Sequence, residues 1–340
     1  MTFSDPLSVS FFALLRSGLY ERPLLQKEWP VVAALDEASW SSLLELARQQ
    51  TVVGLIYRAV THLPADFSLP GDTVLNLMAF AGGIERENRY KAELVDKMMD
   101  EFTSLGLHPV LMKGATVAAF YAYPELRNSG DIDLYFPPED FRKACSLPGC
   151  ERTSDRSVHL RRDGEDIDLH DRYFDLHCAA EKLPAIGTPE ATVLMLSAHI
   201  LKHAIGTGIG IRQLCDMAMA WQACKEKATP TQWQDLFRRT GTLRWNRLLF
   251  SFLEDYLDLT DSPLADQRVS SAPLLDIVLE GGNFGHFAAG RKEALQSDTR
   301  RRKRHTFGRF LHRIPFSLHY APCETFATIL TLTCGNLRRK

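Results

Sequence analysis

Two aspartates separated by one residue, Asp131 and Asp133, open the short apolar segment Asp-Ile-Asp-Leu-Tyr-Phe. Alternate side chains of a β-strand share a face, so a strand here puts both carboxylates on one face and turns Ile132 towards the core. Two carboxylates held this close repel each other unless a cation lies between them, and hard oxygen ligands suit Mg²⁺ or Mn²⁺. The pair therefore predicts a divalent metal site, against the alternative of solvated or capping carboxylates.

A second acidic segment, Glu-Asp-Ile-Asp-Leu-His at residues 165–170, alternates in the same way. In an extended strand Asp168 shares a face with Asp166 and His170. An aspartate in the middle of a strand is costly to bury without a partner, and a metal ion would be one. We expect Asp168 to be a third metal ligand that also orients or deprotonates an acceptor hydroxyl, with Asp166 as its alternative. His170 is a candidate for the substrate pocket or an ordinary hydrogen-bonded histidine.

Lys113 and Gly114 lie where a short apolar strand ends and a helix is predicted to begin. Backbone N–H groups at a helix start bind phosphate, and glycine lets the backbone approach closely. The Lys113 ammonium would add positive charge against a triphosphate, and Arg127, just before the aspartate pair, would do the same. With three carboxylates nearby, these residues are typical of metal-assisted transfer of a nucleotidyl group.

Two histidines, His199 and His203, lie four residues apart on a predicted helix and share one of its faces. This spacing supplies half of a zinc site, but the glutamate of an HExxH motif is missing and no third ligand has motif spacing. We therefore expect these histidines to line the substrate pocket or to have a structural role.

The predicted elements divide the chain into three regions. Residues 1–107 have helical periodicity, and their last helix is predicted to run from about residue 84 to a stop at Gly106. Residues 181–340 are helical again after the helix start Thr188-Pro189-Glu190. Between them, residues 108–180 give a strand, a helix over 114–123, a strand, a helix and a hairpin whose turn is Asp163-Gly164. This order predicts an α+β fold, in which a small mixed sheet is the catalytic core and helical regions flank it.

Composition limits the classes of partner. A net charge of −2 at pH 7 provides no global basic field for a long nucleic acid. The seven cysteines form no CxxC pair, and the start of the chain is a poor secretory signal, so we expect a cytoplasmic protein. No apolar stretch reaches the roughly 18–20 residues that span a bilayer. The basic run at residues 300–304 is a solvated loop or, alternatively, a contact for phosphate, RNA or anionic lipid.

Three segments together resemble the polymerase-β-like nucleotidyltransferase superfamily, and within it a family of uncharacterised bacterial nucleotidyltransferases with a Lys-Gly motif. They are LMKGA (111–115), YAYPELRNSGDIDLYF (121–136) and EDIDLHDRY (165–173). The resemblance implies that Asp131 and Asp133 bind two metal ions and that Asp168 is the third carboxylate. Lys-Gly replaces the superfamily's Gly-Ser, whose hydroxyl touches the triphosphate, and Thr116 or Ser129 could only partly replace that hydroxyl.

These observations predict a metal-dependent enzyme that transfers an NMP group from an NTP to an acceptor hydroxyl and releases pyrophosphate. The acceptor is expected to be a small molecule or a protein, and a partner protein is compatible with the sequence. The alternative is a catalytically silent scaffold that keeps the fold and binds a nucleotide or a partner. A kinase ranks last because no GxxxxGK[ST] loop and no HRD or DFG set occurs.

Overall fold

The chain divides into two compact units in the computed structural model, which describes residues 5–154, 157–177, 179, 182–206, 208–281, 308 and 310–337. One, the sheet unit, comprises Thr2–Arg48 and Val52–Tyr173. The other, the helical unit, comprises Gln49–Thr51 and Phe174–Lys340 together with Met1. The predicted division into three regions stays a prediction, and the basic run at 300–304 lies outside the described residues. No helix within the described residues is long and apolar enough to cross a membrane.

The sheet unit contains one mixed sheet of five strands in the order β1-β2-β5-β4-β3. The central pair β2–β5 is parallel and the other pairs are antiparallel. This arrangement confirms the predicted α+β class with a small mixed sheet. The strands are β1 (Val110–Met112), β2 (Ile132–Tyr135), β3 (Cys150–Ser154), β4 (Ser157–Arg162) and β5 (Glu165–His170).

Helices precede the sheet and connect its strands. The long helix α5 packs against the core side of the sheet through residues at three-to-four spacing, among them Leu94, Met98 and Phe102. The Phe102 ring meets Phe136 edge to face, with centroids 5.2 Å apart. The helices are α1 (Pro6–Leu19), α2 (Trp29–Ala33), α3 (Glu37–Gln49), α4 (Val53–Val60), α5 (Thr73–Ser104), α6 (Gly114–Ala118) and α7 (Pro138–Ala144).

Local turn signals are confirmed where the sequence predicts them. Asp163 and Gly164 both have positive φ angles, 49° and 90°, as a two-residue turn between β4 and β5 requires. Gly106, with φ of 69°, ends α5, and the next N–H, that of Leu107, donates to the carbonyl of Phe102 at 2.9 Å.

Two helices differ in length from the prediction. Helix α5 begins at Thr73 rather than near residue 84, because burial of Leu77 and Ala81 outweighs the low helix propensity of the glycines at 82 and 83. Helix α6 ends at Ala118 rather than near residue 123. A residue before proline is disfavoured in helical geometry, and Tyr123, which precedes Pro124, has φ of −126° and ψ of 79°.

The helical unit consists of helices over its described part. Thr188 caps its first long helix, since the Thr188 hydroxyl accepts from the N–H of Ala191 at 3.2 Å, as predicted. The helices are α8 (Pro189–Ile205), α9 (Ile211–Cys224), α10 (Pro230–Arg239), α11 (Leu243–Leu257), α12 (Ala272–Gly281), α13 (Ile314–Tyr320) and α14 (Pro322–Leu337).

Candidate active site

The parallel pairing of β2 with β5 aligns two of the predicted acids. Asp133 and Asp168 are register partners across this pair, and His170 follows on the same face of β5. The apolar neighbours Ile132 and Ile167 are buried on the opposite face. One ligand atom from each of Asp133, Asp168 and His170 lies within 4.8 Å of the others, and this is the group that the described part of the chain offers to a metal ion.

The Asp133 carboxylate contacts two side-chain nitrogen atoms. Lys113 Nζ donates to Asp133 Oδ1 at 3.0 Å, and His170 Nε2 lies 2.7 Å from the same oxygen. The side chains of Lys113 and Asp133 are only 10% and 13% exposed. The Lys113 ammonium, predicted to add charge against a triphosphate, is thus paired with Asp133, and its phosphate role stays a prediction.

Asp168 faces a histidine that the sequence analysis missed. His159 of β4 is its register partner, and His159 Nδ1 lies 2.5 Å from Asp168 Oδ1. Burial, with the negative charges of Asp133 and Asp131, raises the pKa of Asp168, and the charges of His159 and His170 lower it less. The contact of His159 with Asp168 could have been inferred from the sequence, because a two-residue turn at 163–164 places residue 159 opposite residue 168.

Lys113 has a backbone conformation that favours glycine, with φ of 51° and ψ of −126°. A lysine held there stores local strain, and such strain is concentrated at functional sites. The Lys113 carbonyl accepts from the Val117 N–H at 3.0 Å and from the Thr116 hydroxyl at 2.5 Å. The Thr116 hydroxyl is thus bonded to the turn that starts α6.

A cavity of about 390 Å³ opens beside Asp133 within the sheet unit. Its walls are one face of α5, the junction of β1 with α6, the segment 124–130 and the start of β2. The volume falls within the roughly 300–1,000 Å³ typical of small-molecule sites. Five predicted residues line it: Gly114, Arg127, Ser129, Asp131 and Asp133.

Asp131 is placed differently from Asp133. It precedes β2, is exposed and lines the cavity, but it is outside the close group of ligand atoms. A Cβ atom at Gly114 would meet the Asp131 carbonyl oxygen at 3.6 Å, an ordinary contact. The metal role of Asp131 stays a prediction.

Helix α5 holds the segment 124–130 through an asparagine that the sequence analysis did not single out. Asn88 Nδ2 donates to the carbonyl oxygens of Glu125 at 2.7 Å and Arg127 at 2.8 Å. Arg127 itself is buried, and its guanidinium donates to the Asn128 carbonyl at 3.3 Å. Asn88 thus fixes the backbone of the cavity wall.

A second set of contacts from α5 lies closer to the aspartates. Lys91 Nζ donates to the Gly130 carbonyl at 3.0 Å and to Ser129 Oγ at 3.3 Å, and Ser129 Oγ donates to Glu87 Oε1 at 2.9 Å. We call Glu87, Asn88 and Lys91 the α5 clamp. In the sequence, Glu87 and Lys91 are indistinguishable from an ordinary i,i+4 surface pair, which is why they were missed.

The two predicted pocket histidines, His199 and His203, belong to α8 of the helical unit. Their rings meet edge to face with centroids 4.5 Å apart, and His199 Nδ1 lies 3.4 Å from Asp175 Oδ2. Lys202 Nζ donates to Asp175 Oδ1 at 2.8 Å. These contacts fit the structural role that the sequence left open for His199 and His203. Their role in a substrate pocket stays a prediction.

Comparison with known proteins identifies a family. A sequence model of a family described as uncharacterised nucleotidyltransferases matches residues 36–255, well over half of the 340 residues. The matched span contains every predicted site residue from Lys113 to His203. No curated protein and no solved structure gives a significant match. The chain therefore belongs to this family of uncharacterised nucleotidyltransferases.

Proposed function

We propose that this protein is a metal-dependent nucleotidyltransferase that moves an NMP group from an NTP to a hydroxyl of a small molecule or a protein. The acceptor oxygen bonds to the α-phosphorus, the bond from that phosphorus to the β-phosphate breaks, and pyrophosphate leaves. The hydroxyl proton passes to a base, for which Asp168 is the candidate. The main support is the alignment of Asp133 with Asp168 beside a cavity of about 390 Å³, in a chain of this family.

The donor set fits a divalent cation. Carboxylate oxygens from Asp133 and Asp168 approach one another on adjacent strands, and Asp131 is near enough to influence the charge of Asp168. These residues would hold Mg²⁺ or Mn²⁺, which would offset the charge that develops on the phosphate oxygens. Lys113 would add positive charge, and Gly114, Arg127 and Ser129 line the cavity in which the NTP would lie.

One observation favours the alternative of a catalytically silent scaffold. Because the Lys113 ammonium already neutralises Asp133, this carboxylate does not need a metal ion for its own stability. A silent scaffold would bind an NTP without turnover. The experiment described next separates nucleotidyl transfer from nucleotide binding alone.

The experiment is incubation with each of the four α-³²P-labelled NTPs, Mg²⁺ or Mn²⁺, and a lysate that supplies small molecules and proteins. Wild type is compared with Asp133→Asn, Asp168→Asn and the control Asp171→Asn, which changes an exposed residue just after the same strand. We expect labelled acceptor and pyrophosphate from wild type and the control, and a loss of about a hundredfold or more in the other two variants.

Each contrary result has a definite meaning. NTP binding without transfer by wild type would support the scaffold, and release of NDP rather than pyrophosphate would indicate a kinase. Full activity of Asp168→Asn would remove the third carboxylate from the mechanism. Because Asp133→Asn takes away the partner of a buried lysine, its unfolding is measured in parallel.

We also place the reaction in the cytoplasm. Five cysteines in the described residues carry free thiols, which supports the reducing compartment expected from the sequence. Near-neutral net charge supports a small-molecule or protein acceptor over a long nucleic acid.

A further inference from the structure

His170 lies close enough to both Asp133 and Asp168 for the three side chains to share one metal ion. Its Nε2 lies 2.7 Å from Asp133 Oδ1, and its ligand atom lies within 4.8 Å of those of both Asp133 and Asp168. Metal–ligand bonds of about 2.1 Å at right angles separate neighbouring ligand atoms by roughly 3 Å. The 2.7 Å between His170 Nε2 and Asp133 Oδ1 is close to that value.

Chain geometry supports the same position. Asp168 and His170 alternate on β5 and share its polar face, and Asp133 of β2 lies opposite Asp168. Three donors therefore come from the two central strands, which are firmly paired elements rather than loops. The His170 side chain is 22% exposed and the Asp133 side chain 13%.

We propose that His170 is a direct metal ligand, and that the Asp133, Asp168 and His170 set of two oxygens and one nitrogen selects Mn²⁺ over Mg²⁺. This inference rests on the metal site of the proposed function and names its preferred ion. Mg²⁺ strongly prefers oxygen ligands and retains its water, whereas first-row transition ions accept an imidazole nitrogen readily.

His159 has a different role from His170. It contacts Asp168 from β4 and is outside the group of close ligand atoms, so it is a positioning residue that orients the Asp168 carboxylate. The two histidines therefore form a matched pair for a test, since each contacts one of the acids and only one is placed to ligate.

The test measures metal binding to the full-length protein without nucleotide. Mn²⁺ is titrated by electron paramagnetic resonance, Mg²⁺ affinity is obtained by competition, and electron spin-echo modulation detects ¹⁴N bound to Mn²⁺. Wild type should bind Mn²⁺ about tenfold or more tightly than Mg²⁺ and show ¹⁴N coupling. His170→Gln should lose the coupling and most of the preference, whereas His159→Gln should keep the coupling.

Failure of this inference is distinguishable from failure of the proposed function. Mn²⁺ binding without ¹⁴N coupling in wild type, or coupling that persists in His170→Gln, would overturn the role of His170 and leave the nucleotidyltransferase proposal intact. No binding of either ion to the nucleotide-free protein would remove the ligand assignment, whereas the labelled-NTP assay with and without the ion tests metal dependence separately. The wild-type spectrum shows whether a nitrogen atom ligates Mn²⁺ even if a variant does not fold.

Discussion

Gly114 lies at a position where the chain itself does not require glycine. Its φ angle is not positive, and an added Cβ would make only an ordinary contact with the Asp131 carbonyl oxygen, at 3.6 Å. It nevertheless lines the cavity beside Asp133. A requirement for glycine would therefore come from a ligand rather than from folding.

Gly114→Ala should separate binding from stability. Alanine raises helix propensity by up to about 1 kcal/mol, so the free energy of unfolding should be unchanged or slightly higher. A methyl group in the cavity should weaken NTP binding about tenfold, measured by titration calorimetry. Gly82→Ala is the control, because Gly82 is helical and does not line the cavity. Unchanged affinity in Gly114→Ala would exclude close approach of the NTP to this backbone.

At the scale of elements, the α5 clamp joins a helix to the segment that leads into β2. Asn88 uses both amide hydrogens on backbone carbonyls of this segment. We expect Asn88→Ala to lower kcat/KM by about tenfold, since loss of two hydrogen bonds costs about 1–3 kcal/mol and loosens the cavity wall. Steady-state kinetics measures the effect.

The control for the clamp is Asn76→Ala, an exposed position on the same helix. This change should affect neither stability nor kinetics by more than about 0.5 kcal/mol. Equal kcat/KM for Asn88→Ala and wild type would mean that the segment is held in place without the clamp.

A second element-scale contact connects the end of α1 with α4. Glu21 accepts from Arg58 at 2.6 Å, and His62 Nε2 lies 3.0 Å from the same carboxylate oxygen. Burial alone would raise the pKa of Glu21, but the hydrogen bonds and charges of Arg58 and His62 outweigh it and hold that pKa below its usual range.

This lowered pKa predicts acid sensitivity of the sheet unit. The ionised Glu21 contributes stability above the unfolded-state pKa of about 4.3, and the contribution is lost as pH falls through the lower folded-state pKa. Glu21→Gln should therefore reduce the free energy of unfolding by about 1 kcal/mol at pH 7, and by much less once the pH has fallen below the lowered folded-state pKa. Urea unfolding at several pH values measures this, with the exposed Glu45→Gln as control. A difference independent of pH would show that the contact is not ionic.

For the whole molecule, binding of metal and NTP is linked to unfolding. A ligand at a hundred times its Kd adds about 2.7 kcal/mol to the state that binds it, which raises Tm by about 5 °C. We expect Mn²⁺ with an NTP to raise the Tm of wild type and not that of Asp133→Asn, measured by scanning calorimetry. An equal rise in both would place the NTP elsewhere.

Calorimetry also reports on the two units. The family match at residues 36–255 extends across the change from one unit to the other after Tyr173. The metal candidates Asp133, Asp168 and His170 all belong to the sheet unit. If two transitions are resolved, the ligand-induced rise should therefore occur in the transition of the sheet unit.

Features set by near neighbours along the chain were predictable from the amino-acid sequence. The two-residue turn Asp163-Gly164, the helix end at Gly106 and the Thr188 cap all depend on a few consecutive residues. Alternation put Asp168 and His170 on one face for the same reason, and the turn alone implied that His159 lies opposite Asp168.

Contacts between distant segments required the folded chain. No local pattern states that β2 lies beside β5, so the position of Asp168 beside Asp133 was only an expectation from the sequence, and the strand pairing is what aligns the two residues. The Lys113 contact with Asp133 and the α5 clamp likewise join segments far apart in sequence. Strand order and helix docking follow from burial of the whole core, which periodicity in one segment does not encode. Residue types and their spacing thus predicted a metal-dependent nucleotidyl transfer, whereas tertiary packing determined which of these side chains contact one another.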